Sequence, residues 1–322
     1  MPLTRRTLLG VAMAAAIACA ATAPAQAAKP LTIGFSQVGA ESEWRTANTA
    51  SIKAAARQAN INLKFADAQQ QQQNQVKAIR SFIAQRVDVI AFSPVVETGW
   101  ETVLREAKNA KIPVILTDRA VKVSDPSLYV SFIGSDFVEE GRRAGRWLLD
   151  YAKKNGDKPL NIVELQGTVG SAPATDRKNG FAEVIAGNPK LKILRSQTGD
   201  FTRAKGKEVM EAFLKSEGKN INVLYAHNDD MAIGAIQAIE EAGLKPGKDI
   251  VIVSIDGVRG AFEAMMKGKL NVTIECNPLL GPTLMQTAQA VAAGQPVAKR
   301  ITVQEGVFPA EVAAKEFPNR KY

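Results

Sequence analysis

The side chains in this chain able to do chemistry gather where short apolar runs end. The clearest case is Val223-Leu-Tyr-Ala-His-Asn-Asp-Asp-Met231, where a buried-strand pattern over 223–226 gives way to Asn228, Asp229 and Asp230. A helical pattern follows at Ala232, Ile233, Ile236 and Ile239, so Asn228 can also cap that helix, while Asp229 and Asp230 read as caps or lobe contacts. Asp118-Arg119 follows the run 113–117 in the same way, and Asp256-Gly257 follows 250–255. These tips carry hydrogen-bonding groups and no nucleophile. The one histidine, His227, would have to supply the base of any catalytic triad, and no G-x-S-x-G elbow accompanies it. His227, Asp229 and Asp230 are too close in sequence to face one metal ion together. No Walker loop is present. The pattern describes a binding site rather than an enzyme, with no cofactor and no metal expected.

Those tips need elements behind them. Strand patterns fall at 31–36, 62–66, 87–92, 113–117, 128–133, 160–165, 191–195, 223–226, 250–255, 270–275 and 300–303. Helical patterns separate most of them, with apolar faces such as Val76, Ile79, Phe82 and Ile83, or Trp100, Val103, Leu104 and Ala107. Strand–helix alternation at this spacing predicts parallel sheets wound by right-handed crossovers. Eleven or so strands could close into one sheet or a barrel, but two sheets fit the length better, with a break near Gly134. The expected fold class is therefore α/β, two doubly wound parallel-sheet lobes with a ligand cleft between them. Ligands bind such sheets at the C-terminal edge of the strands, which is where the polar tips lie.

The chain has 322 residues, 46% hydrophobic and 23% charged, enough for two ordinary globular domains. Residues 1–27 read as a signal peptide: Arg5-Arg6, an apolar segment over 8–21, and the small-x-small site Ala25-Gln-Ala27. Thr4-Arg-Arg-Thr-Leu-Leu also resembles a twin-arginine signal, and Cys19 after Ala16-Ile-Ala18 offers lipoprotein processing as a rival. Export is expected on any of these routes. Removing 1–27 deletes Arg5 and Arg6 and no acid, which lowers the net charge from +9 to +7. The lysines are spread over many helices with no run of five, so a solvated surface is expected and no nucleic-acid partner. Cys276 is then the only cysteine, unable to form an internal disulfide, and reads as a core residue.

Taken together, the tips resemble those of the periplasmic sugar-binding proteins of ABC importers, in the ribose and galactose class, over essentially the whole mature chain. The segments that carry this are Asp118-Arg119, Asp176-Arg-Lys-Asn-Gly180-Phe, Gly199-Asp-Phe-Thr-Arg203 with Gly206, Ala226-His-Asn-Asp-Asp-Met231, and Ser254-Ile-Asp-Gly257. Within the class the galactofuranose-binding members are nearest, through Gly34-Phe-Ser-Gln-Val-Gly39 with Glu41, Trp44 and Arg45, through Val163-Glu-Leu-Gln-Gly-Thr-Val-Gly170, and through Leu244-Lys-Pro-Gly-Lys-Asp249. Ribose receptors place an Asn and paired Phe residues in the first loop, so Glu41, Trp44 and Arg45 argue against ribose. Ser171-Ala-Pro-Ala-Thr175 also departs from the pattern and would alter one edge of the pocket. The resemblance implies a monomeric type I periplasmic binding protein, with residues 28–133 and 276–304 in an N-terminal lobe and 134–275 and 305–322 in a C-terminal lobe. It implies capture of a monosaccharide, galactofuranose foremost, and delivery to a membrane permease. The alternatives on the same fold are another sugar, a polyol, or a quorum-type signal feeding a chemoreceptor or sensor.

The residue types suit a sugar. An ionised Asp accepts from two hydroxyls, Arg offers a planar fork of donors, and Asn does both. Asp118, Arg119, Arg177, Asn228, Asp256 and Glu275 are the expected polar contacts, with Trp44 and Phe201 over the ring faces and Glu41 and Arg45 added by the resemblance. Glu275 lies at a crossover, where a hinge role serves equally well. Hydrogen bonds to charged groups contribute about 1.5–3 kcal/mol each. A handful of them reaches micromolar binding, about −8 kcal/mol, after ordering costs.

Overall fold

The computed structural model describes residues 30–322, so the leader, its cleavage site and Cys19 lie outside the described residues. The chain first lays down β1 (Thr32–Gln37), α1 (Glu43–Gln58), β2 (Asn62–Asp67), α2 (Gln72–Ala84), β3 (Val89–Phe92), α3 (Glu101–Asn109), β4 (Val114–Thr117) and β5 (Ser131–Gly134). It then passes to α4 (Phe137–Lys154), β6 (Leu160–Gln166), α5 (Ala172–Ile185), β7 (Leu191–Thr198), α6 (Arg203–Glu217), β8 (Val223–Ala226), α7 (Asp229–Glu241), β9 (Val251–Asp256), α8 (Arg259–Met266) and β10 (Val272–Glu275). Next, α9 (Gly281–Ala292) and β11 (Arg300–Thr302) return to the first group. Finally β12 (Val307–Pro309) and α10 (Ala313–Glu316) rejoin the second.

Two six-stranded sheets result, ordered β11-β5-β4-β3-β1-β2 and β12-β10-β9-β8-β6-β7. Each begins on the doubly wound 2-1-3-4-5 pattern, whose strand order reverses beside its first strand and leaves a crevice for a ligand there. All pairings are parallel except β12, which runs antiparallel to β10. This three-residue edge strand was not among the expected strands, because Val307-Phe-Pro is too short to show a period.

The central strands β3, β4, β5 and β8 are buried throughout, as sheets covered by helices on both faces require. Alternation sorts the first sheet's side chains into two cores: Ile90 and Phe92 on one face, Val89 and Ala91 on the other. The second lobe has one large core, and Trp44 packs into it although it belongs to α1 of the first lobe. Helix ends follow local chemistry. Asp136 caps α4 by accepting from the Glu139 amide, Glu139 and Glu140 occupy its first turn, and Lys153 and Lys154 its last.

Candidate functional site

Nine of the ten expected site residues converge on one cavity between the lobes: Glu41, Trp44, Arg45, Asp118, Arg119, Arg177, Phe201, Asn228 and Asp256. Ser42, Pro173 and Cys276 complete the lining.

On the first lobe the site is a chain of alternating charge. Arg45 Nε donates to Glu41 Oε1 at 2.9 Å, and Arg45 Nη1 stands 2.7 Å from Asp118 Oδ2. Arg119 anchors itself by donating to the Val95 carbonyl at 3.0 Å and lies 3.9 Å from both Glu41 and Asp118. All four side chains are buried. Burial pushes the Glu41 carboxyl up, but Arg45 and Arg119 overcome it and hold it below its usual value. Burial, helped by neighbouring Arg45, brings Arg119 down to about 10, so it stays charged at neutral pH. Glu41 Oε2 and Arg119 Nε are buried without a hydrogen-bond partner in the protein. They are the groups with bonding capacity to spare.

On the second lobe the donors are more fully engaged. Arg177 donates from Nε to Glu140 at 2.7 Å and from Nη1 to the His227 carbonyl at 2.6 Å, with Asp256 3.8 Å from Nη2. Asn228 caps α7 by accepting from Met231 N at 3.0 Å and donates to the Phe201 carbonyl at 3.1 Å, so its cap role holds. The Phe201 ring lies under two guanidinium groups, 5.2 Å from Arg119 and 5.9 Å from Arg177. Burial pushes the Asp256 carboxyl well above the carboxylate range against the pull of Arg177. Asp229 points away from the cavity and ties together the ends of β9 and β10, accepting from Thr273 Oγ1 at 2.9 Å, Gly257 N at 2.8 Å and the Ser254 hydroxyl.

Glu275 is the exception. It accepts from Gly306 N at 2.9 Å and Tyr322 Oη at 3.0 Å and pairs with Arg320 at 2.9 Å, behind the cavity wall. Successive side chains of an extended chain point to opposite faces. With Glu275 turned to the crossover, its neighbour Cys276 faces the cavity. Cys276 belongs to the second lobe's core, as expected, and also reaches the cavity; for that second role, being one residue past a strand tip was the available signal. Its carbonyl also accepts from Trp44 Nε1 at 2.6 Å, which fixes the indole at the cavity wall. Ser42 and Pro173 fall inside segments already singled out, the first loop and the departure at 171–175.

Among the described residues, one group could be considered for a metal: Glu140, Cys276 and Glu305 bring ligand atoms within 4.8 Å of one another. Burial raises the pKa of all three, Glu305 to about 9, which disfavours the ionised forms a metal needs, and Arg177 already supplies a positive charge to Glu140. That chemistry does not suit a resident cation.

Paired doubly wound lobes with a charged, aromatic-walled cavity between them define a type I periplasmic binding protein. The chain belongs to the periplasmic binding protein domain family, whose model matches residues 33–296. It is 52% identical to the galactofuranose-binding protein of Escherichia coli (strain K12) over 320 residues, 98% of each chain. A Mycobacterium smegmatis protein solved in complex with β-D-fucofuranose is 60% identical, with a TM-score of 0.88 over 91% of this chain and 95% of that one. The binding component of an arabinose ABC transporter from Shewanella sp. ANA-3, bound to α- and β-L-arabinofuranose, is 55% identical, with a TM-score of 0.87 over 90% and 95%. The family implies a periplasmic location.

Proposed function

We propose that this protein captures a monosaccharide in its furanose form, galactofuranose foremost, between its lobes and delivers it to the permease of an ABC transporter. The observation that carries the reading is the two-sided collar of charge. Glu41, Arg45, Asp118 and Arg119 from one lobe meet Arg177 and Asp256 from the other around one shared cavity. A five-membered ring with an exocyclic chain presents hydroxyls in several directions, which donors and acceptors on both lobes can meet. The ring form draws further support from the furanoses named with the relatives.

In this reading the nine cavity residues contact the sugar, and Glu275 serves the crossover. Residues 28–133 with 276–304, and 134–275 with 305–322, move as two bodies. The chain is exported to the periplasm by a leader cleaved near Ala27 and works there as a monomer, binding no nucleic acid and catalysing no reaction.

The test is a calorimetric titration of residues 28–322 with galactose, after unfolding and refolding to strip carried-over sugar. Galactose in water is mostly pyranose with a minor furanose fraction. A furanose receptor gives an equivalence point at many galactose molecules per protein, whereas a one-to-one point makes it a pyranose receptor. Absence of heat with galactose, D-fucose and L-arabinose alike overturns the sugar reading.

A further inference from the structure

We propose that Asp230, which does not line the sugar cavity, is a positioning residue that latches the two lobes closed. From the start of α7 in the second lobe its Oδ2 accepts from the Glu43 backbone N–H of the first lobe at 2.7 Å. Its other oxygen is held by Arg203, with Nη2 at 2.8 Å and Nε at 3.2 Å. Glu43 opens α1, where backbone N–H groups have no intrahelical partner and the helix end favours a negative charge. The contact therefore satisfies a donor that faces solvent once the lobes part. The Glu43 side chain crosses as well: a Cβ built on Gly260, at the start of α8, would stand 2.9 Å from Glu43 Oε2. A second interlobe bond, Glu97 N to the Gly170 carbonyl at 2.9 Å, also avoids the sugar-facing groups.

The consequence for affinity rests on the sugar reading above. The population of the closed state multiplies intrinsic affinity, so a contact made only on closure strengthens binding without touching the ligand. The latch predicts slower sugar release, with selectivity among sugars unchanged.

Glu43 allows an unusually direct test. Proline is at home in the first position of a helix, and Ser42 before it is extended at φ −147° and ψ 162°, as a residue preceding proline must be. Glu43→Pro deletes the latch donor, while Glu43→Ala removes the same side chain and keeps the N–H. We expect Glu43→Pro to bind galactose at least about tenfold more weakly than Glu43→Ala, through faster dissociation, with matching ligand-free melting temperatures. Asp230→Ala should show a similar loss, and the double variant Glu43→Pro/Asp230→Ala little more than either change alone. Equal affinities for the two Glu43 variants, or additive losses in the double variant, overturn the latch. If the parent chain binds none of the sugars, the sugar reading falls and the latch is read from interlobe label distances in the ligand-free chain. There Glu43→Pro should lose a compact population that Glu43→Ala keeps, and identical distributions overturn it.

Discussion

Arg119 shows how a buried charge is made useful. Its guanidinium is 2% exposed, one nitrogen is committed to the Val95 carbonyl, and Nε has no partner in the protein. Burying an ion is tolerable only with compensating charge, which Glu41 and Asp118 provide at 3.9 Å. Asp256 holds the matching position on the opposite lobe. Arg119→Ala and Asp256→Ala should each weaken sugar binding by about 1.5–3 kcal/mol while the fold remains intact, measured by titration calorimetry and circular dichroism. Unchanged affinity in both would remove these residues from the site. At this scale the sequence was informative where a polar pair follows an apolar run, as at Asp118-Arg119 and Asp256. Glu41 and Arg45 carry no such signal and were reached through the family resemblance. The facing of Glu275 and Cys276 depends on the path of the crossover, which no local pattern encodes.

Elements bring these side chains together by unusually close approach. A Cβ on Gly141 of α4 would come within 2.3 Å of the Arg177 carbonyl, and one on Gly180 of α5 within 2.0 Å of the Val138 carbonyl. The two helices thus cross backbone to backbone, and this contact sets the height at which Arg177 enters the cavity. Gly141→Ala should destabilise the protein by about 1–3 kcal/mol and weaken sugar binding together, since α5 must shift with Arg177 on it. A thermal melt and a titration check both; a melting loss with wild-type affinity would uncouple the crossing from the site. Strand tips add a second device. Asp118, Phe201 and Asp256 hold φ of 59°, 62° and 138°, conformations that cost side chains about 1–3 kcal/mol each and that gather at binding sites. Most strands and helices were legible from their periods. The edge strand β12 was not, since it is defined by pairing with β10 rather than by its own residues.

Across the whole molecule, three crossovers join the lobes, and Glu305 on the third fastens the other two. Its Oε1 accepts from the Ser135 hydroxyl on the first and from Asn277 N, at 2.9 Å, on the second. Burial foremost, and then neighbouring Glu140, push this carboxyl from the usual 4.5 to about 9. A folded-state pKa above the unfolded one means that the stabilisation is fully present below about 4.5 and is lost as pH rises through about 9. Melting temperature should therefore fall across that window. In Glu305→Gln, which carries a neutral group at every pH, the decline should be shallower. Identical slopes in the two proteins would show that Glu305 is ionised in the native state.

The amino-acid sequence by itself determined the alternation of strands and helices, and with it two wound sheets, because burial on both faces leaves continuous apolar runs that end abruptly in polar tips. It also placed most of the binding groups, since doubly wound sheets present a ligand to those tips. Only the tertiary structure decided which tips meet. The Glu41–Arg45–Asp118–Arg119 chain, the seating of Trp44 in the other lobe's core, and the Asp230–Glu43 contact join residues from separate elements. Their energies depend on distances of a few ångströms between elements far apart in the chain; across the lobes those distances follow from how the three crossovers fold back, which no single segment specifies.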